Sequence, residues 1–192
     1  MVGHRAITSG DFKLDDLAGG TGRLDVLLRC INSAFFLSHD IRRDAEMHLI
    51  LQGPPNPPKT IRLVGSELKY LNPDERSTAA LVRNALMQKV AGEERATPGF
   101  YVSNRSYRDV LSLVPKGDQI VYLKENGTDI REFNFEKDVT FVLGDDQDLT
   151  PDEEESLLRY SPRVVSLGPV SYHADHCITV VNNELDRRPL AE

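Results

Sequence analysis

Apolar residues near the N-terminus recur at the spacing of a helix. Between positions 23 and 38 they lie three and four residues apart, at Leu24, Leu27, Leu28, Ile31 and Phe35. This spacing puts them on one side of an α-helix, so the pattern predicts an amphipathic helix. A loop with several glycines, over 9–22, precedes it. Loops of about 12 residues or more are often functional.

Two short apolar runs near the C-terminus each end on a glycine. Phe141–Leu143 leads into Gly144, and Val164–Leu167 leads into Gly168. A helical pattern follows each glycine, which is typical of a strand, a tight turn and a helix. Ligands of open α/β sheets usually bind at the carboxyl ends of strands, where such turns cluster. These two turns are therefore the first candidates for a binding site.

The helices after the two turns have recognisable start signals. Thr150 is a good N-cap, Pro151 suits the first helical position, and Glu153 completes a capping box. Ser171 is the predicted cap of the last helix. The apolar side of that helix consists of Cys177, Ile178, Val181 and Leu185.

Segments typical of strands and helices alternate along the whole chain. Arg5–Thr8 is a short predicted first strand, and 46–52 and 60–64 are two more that a proline-rich turn can join as a hairpin. Asn72 is the predicted cap of a further helix, and the strand Gln119–Leu123 ends in a predicted KENG turn. The alternation favours one α/β domain over 1–192, with a mostly parallel sheet and helices on both faces.

Composition places the chain among globular proteins. The chain has 192 residues, of which 40% are hydrophobic, and no apolar run approaches the ~20 residues of a membrane span. Met1–Gly10 lacks the apolar core of a signal peptide. Cys30 and Cys177 both lie in apolar helical patterns, which favours buried free thiols and a cytoplasmic location.

The glycine turns lack the usual phosphate-binding fingerprints. Neither GxGxxG nor GxxxxGK[ST] occurs, so a bare nucleotide phosphate is not the favoured ligand. A metal site is a second possibility to weigh at this end of the chain. Its ligands would be His173, Asp175, His176 and Cys177, with Asp145, Asp146 and Asp148 as additional oxygen ligands. Their spacing matches none of the usual zinc patterns, so we predict no metal.

The C-terminal motifs resemble those of a known enzyme family. LGDDQDLTPDEE, VSLGPVSYHADHCI and the upstream VYLKENG are similar to segments of the archaeal tRNA pseudouridine-54 N1-methyltransferases, which belong to the SPOUT class. The resemblance covers essentially the whole chain, and the LGP-SYHA-HCI run is its most specific part. It implies a C-terminal trefoil knot, a homodimer, S-adenosylmethionine as methyl donor, and tRNA containing pseudouridine as partner.

The resemblance assigns the donor to three loops at strand ends. Leu123 and Leu167 would be apolar walls, and glycine would allow close backbone approach. The assigned residues are Leu123, Gly144, Leu167, Gly168, Pro169, Val170, Ser171, Tyr172 and Cys177. We interpret Cys177 as a pocket residue, because a deprotonated N1 has its own lone pair and needs no covalent step.

The start of the first helix has two interpretations. Asp25 and Arg29 stand four apart, which is the spacing of an ordinary helical ion pair. The resemblance instead makes the R-x-D element Arg23-Leu24-Asp25, with Arg29, a target-nucleoside site. Arg23 would hold a phosphate or base edge, and Asp25 would contact the ring. Asp25 is the candidate acceptor of the N1 proton. Alternatively, Asp25 only orients the ring and water takes the proton.

The net charge of −7 is unfavourable for binding RNA, so basic residues would have to cluster on one face. Arg42 and Arg43 could contact phosphates, or could simply be a solvated helix terminus. Besides the tRNA methyltransferase, three hypotheses stay open. They are a non-catalytic RNA-binding or ribosome-assembly module with the same fold, an rRNA pseudouridine N1-methyltransferase and, more distantly, a metal-dependent hydrolase. The intact LGP-SYHA-HCI run favours an enzyme that binds the donor.

Overall fold

A computed structural model describes residues 1–136 and 138–188. Within this part of the chain there are five α-helices and eight strands. The helices are α1 (Leu24–Phe35), α2 (Glu75–Leu86), α3 (Tyr107–Leu113), α4 (Pro151–Leu158) and α5 (Ala174–Asp186). The strands are β1 (Val2–Gly3), β2 (Glu46–Leu51), β3 (Lys59–Val64), β4 (Glu93–Thr97), β5 (Phe100–Ser103), β6 (Gln119–Asp129), β7 (Val139–Val142) and β8 (Arg163–Ser166). Positions 137 and 189–192 of the predicted domain lie outside the described residues.

The strands form two sheets whose edges adjoin. The larger sheet has the order β1-β2-β3-β5-β4, and the smaller has the order β7-β6-β8. The amide of Val2 in β1 donates to the carbonyl of Leu143, just after β7, at 3.1 Å. Since β1 and β7 are edge strands, this bond connects the two sheets.

The sheets are mixed, so the predicted mostly parallel sheet is true of only part of the structure. Both pairs of the smaller sheet are parallel, but in the larger sheet only β1 and β2 are. Short connections explain the difference, because a turn of a few residues can only join antiparallel strands. One such hairpin is β2–β3, as predicted, with Met47 opposite Leu63. The other is β4–β5, which the sequence did not indicate.

Helices cover both faces of the sheets. In β2, Leu49 and Leu51 point into a core shared with α1 and α2, whereas Ile50 points to the other side. This is the alternation expected of a strand that is buried on both faces. Ile50 packs with Tyr107 of α3 and Leu157 of α4. The structure is therefore an α/β fold with helices on both faces.

Helix α5 closes the smaller sheet and contacts α1. Val181 packs with Val121 of β6 and Val165 of β8. The side-chain amide of Asn182 donates to the carbonyl of Ser33 in α1 at 3.1 Å. Helix α5 therefore packs against both the smaller sheet and α1.

Three local predictions outside the two glycine turns are wrong. Arg5–Thr8 is not a strand, because its backbone bonds to loops instead, as in the bond from the Thr8 amide to the carbonyl of Pro54 at 2.8 Å. Helix α2 is capped by Asp74 and not by Asn72, since the Asp74 carboxylate accepts from the Ser77 amide. The KENG segment is part of β6, where an irregularity in its pairing with β8 absorbs the predicted turn.

None of the described helices is long and apolar enough to cross a membrane. Cys30 is buried and Cys177 is half-buried, and both are free thiols. Burial strongly raises the pKa of the Cys30 thiol, so Cys30 is an uncharged core residue at neutral pH.

Candidate active site

The chain enters α1 through two consecutive left-handed residues. Gly22 has φ 63° and Arg23 has φ 69°, which is uncommon for a residue with a side chain. A Cβ on Gly22 would lie 1.8 Å from the carbonyl oxygen of Arg5, so only glycine fits there. The N-terminal segment therefore presses against this turn and holds Arg23 in a strained conformation. Such strain is concentrated at functional sites.

Asp25 lies just inside α1 and is held by two arginines. Its side chain is 8% exposed. Arg23 donates to it from Nε at 3.1 Å and from Nη2 at 3.3 Å, and Arg29 donates from Nη1 at 3.0 Å. Burial alone would raise the pKa of Asp25, but the hydrogen bonds and charges of the two arginines outweigh it and lower the pKa. Asp25 is thus a carboxylate with both oxygens occupied.

The loop after β7 is built around Gly144. A Cβ on Gly144 would lie 1.9 Å from the carbonyl oxygen of Gln147, so the tight turn requires glycine. Asp146 in this loop lies between two arginines. Its Oδ2 is 2.5 Å from Nη2 of Arg5 and 3.7 Å from Nη1 of Arg23. The predicted donor loop and the predicted nucleoside site therefore meet within one chain.

A histidine that the sequence did not single out anchors the same loop. His4 is 3.1 Å from Asp145 through Nδ1 and 2.9 Å from Glu153 through Nε2. Burial lowers the pKa of His4, but hydrogen bonds and charges from the two carboxylates raise it overall. The partners lie 141 and 149 residues away in sequence, so spacing carries no signal of the contact.

The turn after β8 is open. Gly168 has φ 134°, and a Cβ added there would meet no described atom within 4 Å. Val170 and Tyr172 are 60% and 47% exposed. Pro169 lies between them and the glycine. The turn therefore presents apolar side chains to solvent instead of packing them.

Ser171 does not cap α5, contrary to the prediction. Its hydroxyl donates instead to the carboxylate of Glu125 in β6, and the helix begins after His173. This hydrogen bond connects the turn after β8 to β6. The thiol of Cys177 is 3.7 Å from the carbonyl oxygen of Tyr172. Burial, followed by the charges of Glu125 and of Asp175 in α5, raises the pKa of this thiol.

Two of the three predicted cofactor loops, after β7 and after β8, lie at the carboxyl edge of the smaller sheet, whereas Leu123 lies inside β6. The strands β6, β7 and β8 are parallel, so their carboxyl ends point the same way. Leu123 pairs with Val165, and both Leu123 and Leu167 are partly buried beside it. The structure thus brings together Leu123 and the residues from Leu167 to Cys177, with the Gly144 loop at the end of the neighbouring strand.

Arg42 and Arg43 have intramolecular partners. Arg42 forms a bidentate pair with Asp186 of α5, with both distances 2.7 Å. Arg43 donates to the carbonyl of Leu68 at 2.7 Å. Phosphate binding by these two arginines stays a prediction, and for Arg42 it would require release from Asp186. The described residues include no group of three or more His, Cys, Asp or Glu arranged to hold a metal.

A cavity of about 1330 Å³ lies elsewhere in the fold. Its walls include Phe141 of β7, Leu111 of α3 and Ile178 of α5. Of the residues assigned to the donor, Leu123 alone is among its described lining residues. The cavity is therefore largely separate from the site built by the loops.

Comparison with known proteins identifies relatives along the whole chain. Residues 1–190 match the family described as "Putative SAM-dependent RNA methyltransferase". The tRNA (pseudouridine(54)-N(1))-methyltransferase of Methanocella arvoryzae is 52% identical over 190 residues, covering 98% of this chain and 97% of the relative. The protein of the same name from Methanosarcina mazei is 47% identical over 189 residues, covering 97% and 89%.

A solved structure has the same fold. It is Archaeoglobus fulgidus Nep1 bound to S-adenosylhomocysteine, with a TM-score of 0.61 over 87% of this chain and 71% of Nep1. The two sequences are 16% identical, so the likeness shows the fold alone.

Proposed function

The chain belongs to this family of SAM-dependent RNA methyltransferases, and from that premise we propose that it methylates N1 of pseudouridine 54 in the T-loop of tRNA. S-adenosylmethionine is the methyl donor. The observation that carries the proposal is the contact of Asp146 with Arg23. This contact supports the proposal, because the loop that we assign to the donor then lies next to residues that we assign to the nucleoside.

The residues at the strand ends fit the donor. The backbone is open at Gly168, and the exposed side chains of Val170 and Tyr172 offer apolar surface to an adenosine. Glu125, held by Ser171, has a lowered pKa and is a carboxylate at neutral pH. A carboxylate at this edge suits a ligand that carries a positive charge. When bound, the donor supplies a methyl group on a positively charged sulfur.

Leu123 and Leu167 form the apolar walls in this proposal, and Gly144 and Gly168 allow the backbone to approach. Pro169, Val170, Ser171, Tyr172 and Cys177 complete the donor side. Their role is to bind and orient, because methyl transfer needs the nucleophile and the methyl carbon about 3–3.5 Å apart and in line.

Arg23, Asp25 and Arg29 bind and orient the target nucleoside. The two guanidiniums hold the pKa of Asp25 low, and a carboxylate of low pKa is a weak proton acceptor. We therefore favour an orienting role, in which Asp25 accepts a hydrogen bond from the ring and water takes the N1 proton. If an arginine leaves Asp25 for an RNA phosphate, the carboxylate becomes more basic and can accept the proton itself.

The finer architecture is part of the same proposal. The SPOUT resemblance implies that β6, β7, β8 and α5 form a trefoil knot, and the parallel order of the smaller sheet is compatible with one. It also implies a homodimer. Light scattering should then give twice the 21.5 kDa of one chain. Since the substrate is tRNA, we place the enzyme in the cytoplasm.

The function is tested with two tRNA transcripts that differ at one nucleoside. One carries pseudouridine at position 54 and the other carries uridine. Incubation with methyl-labelled S-adenosylmethionine should label only the first. Label in neither transcript, despite donor binding, would favour a non-catalytic RNA-binding module, and label in rRNA instead would favour the rRNA enzyme.

A further inference from the structure

His4 is hydrogen-bonded at both ring nitrogens to carboxylates. Nδ1 is 3.1 Å from Oδ1 of Asp145, and Nε2 is 2.9 Å from Oε2 of Glu153. The three side chains are 9%, 1% and 10% exposed. They are therefore largely removed from water. In such a buried place, an unpaired charge or an unsatisfied hydrogen-bonding group costs free energy.

The geometry favours a protonated imidazole at His4. An ionised carboxylate can only accept hydrogen bonds, so each ring nitrogen of His4 must donate one. A neutral imidazole carries a single N–H, and therefore only an imidazolium satisfies both Asp145 and Glu153. The other contacts of the cluster agree, because Asp145 also accepts from the amides of His4 and Gln147, and Glu153 from the side chain of Gln52.

The cluster joins three elements that meet at the donor loop. His4 follows β1, Asp145 follows Gly144 in the loop after β7, and Glu153 lies in the first turn of α4. The neighbouring residue Asp146 carries the contact to Arg23. The Asp145 carboxylate also accepts from the amide of Gln147, so it connects His4 to the loop that contains Gly144 and Asp146.

We propose that His4 is a positioning residue, whose imidazolium locks the Gly144–Asp148 loop in the shape that receives the donor and faces Arg23. The inference rests on the proposed function, because it assumes that this loop binds the donor. His4 does not touch the reacting atoms. It acts through Asp145 on one side and Glu153 on the other.

The proposal implies that donor affinity depends on pH. The ionisable groups facing His4 among the described residues are Asp145 and Glu153, and both favour the imidazolium. The lock is complete below the ordinary histidine pKa of about 6.5 and is lost as the pH rises through the raised value. Donor affinity should therefore fall on the alkaline side.

The test is calorimetric titration of the full-length protein with S-adenosylhomocysteine at a series of pH values, with His4→Gln and wild type compared. We expect wild-type affinity to fall about tenfold with rising pH, the equivalent of one charge-assisted hydrogen bond. His4→Gln should bind about tenfold more weakly at low pH and show no such fall. His48→Gln is the matched control, since it removes a histidine paired with Glu46 at 2.7 Å away from the donor loops.

A second variant guards against misfolding of the first. Glu153→Gln removes one carboxylate but can keep the capping box with Thr150, because glutamine also serves there. It should lower the pKa of His4 and move the alkaline fall in donor affinity to lower pH. Unchanged affinity and pH dependence in folded His4→Gln or Glu153→Gln would overturn the inference. A wild type that binds no donor at any pH would instead overturn the proposed function.

Discussion

The start of α1 and the turn after β8 face the same proposed reaction but are built differently. At the start of α1, Asp25 is nearly buried and both of its oxygens are held by arginines. In the turn after β8, Val170 and Tyr172 are largely exposed and Gly168 borders open space. The start of α1 is thus a fully hydrogen-bonded polar network before any ligand binds, whereas the turn after β8 exposes apolar surface.

The difference separates two contributions to catalysis. A network of paired charges costs little to reorganise during the reaction, so it can orient a nucleoside from the outset. An exposed apolar turn contributes binding free energy only when a ligand, such as the adenosine of the donor, removes its apolar surface from water. Substitutions at the first side should therefore reduce turnover, and substitutions at the second side and its glycine loops should reduce donor binding.

The largest effect is expected for Asp25→Asn. The substitution keeps the shape but turns an amide N–H₂ toward a guanidinium, so Arg23 and Arg29 lose their common anchor. We expect methyl transfer to fall about a hundredfold, as for a misplaced substrate, with donor affinity nearly unchanged. Single-turnover transfer to tRNA and calorimetric titration measure the two quantities. Glu155→Gln, which removes the partner of the exposed Arg159 at 3.1 Å, is the control.

If Asp25→Asn weakened donor binding as much as it slowed transfer, the two sides would not be separable. The start of α1 and the turn after β8 would then act as one continuous site.

A smaller effect, on binding, is expected for Gly144→Ala. The added methyl group would collide with the carbonyl of Gln147, so the loop must shift away from the donor. We expect the Kd for S-adenosylhomocysteine to rise about tenfold, the equivalent of about 1.4 kcal/mol. Gly92→Ala is the control, because a Cβ there meets no described atom within 4 Å. Equal donor affinity in Gly144→Ala and Gly92→Ala would show that the Gly144 loop is not part of the donor site.

The smallest effect is expected for Cys177→Ala. Burial and nearby carboxylates raise the pKa of this thiol, so at neutral pH it is not the thiolate that a nucleophile must be. Turnover should stay within about tenfold of wild type, because one small pocket contact is lost but no covalent step is removed. A collapse of turnover with donor binding intact would show that Cys177 takes part in the chemistry.

Local patterns predicted the elements whose causes are local. The apolar spacing of α1 and the capping box of α4 were both confirmed, because each depends on residues within a few turns of one another. The hairpin of β2 and β3 was confirmed for the same reason. The local strand–turn–helix pattern indicated a binding site at the Gly144 and Gly168 turns, but the identity of the donor and the nucleoside site came from the family resemblance.

Apart from the cap of α2, which is decided by the nearby Asp74 and Ser77, the errors in local structure occurred where distant residues determine the structure. Thr8 bonds to the turn at Pro54 and so leaves the predicted first strand. Ser171 does not cap α5 because its hydroxyl donates to Glu125, which lies 46 residues away in sequence. No sequence pattern singles out His4, because its partners come together only when β1, the loop after β7 and α4 have assembled. Tertiary contacts overrode local preference in each case.

The most direct test of the account is an amide-resolved NMR titration of the protein with S-adenosylhomocysteine. The account predicts that the largest shift changes occur at Leu123, in the Gly144 loop and between Leu167 and Cys177. Shift changes concentrated instead around Phe141 and Ile178, in the separate cavity, would contradict it, and so would the absence of binding.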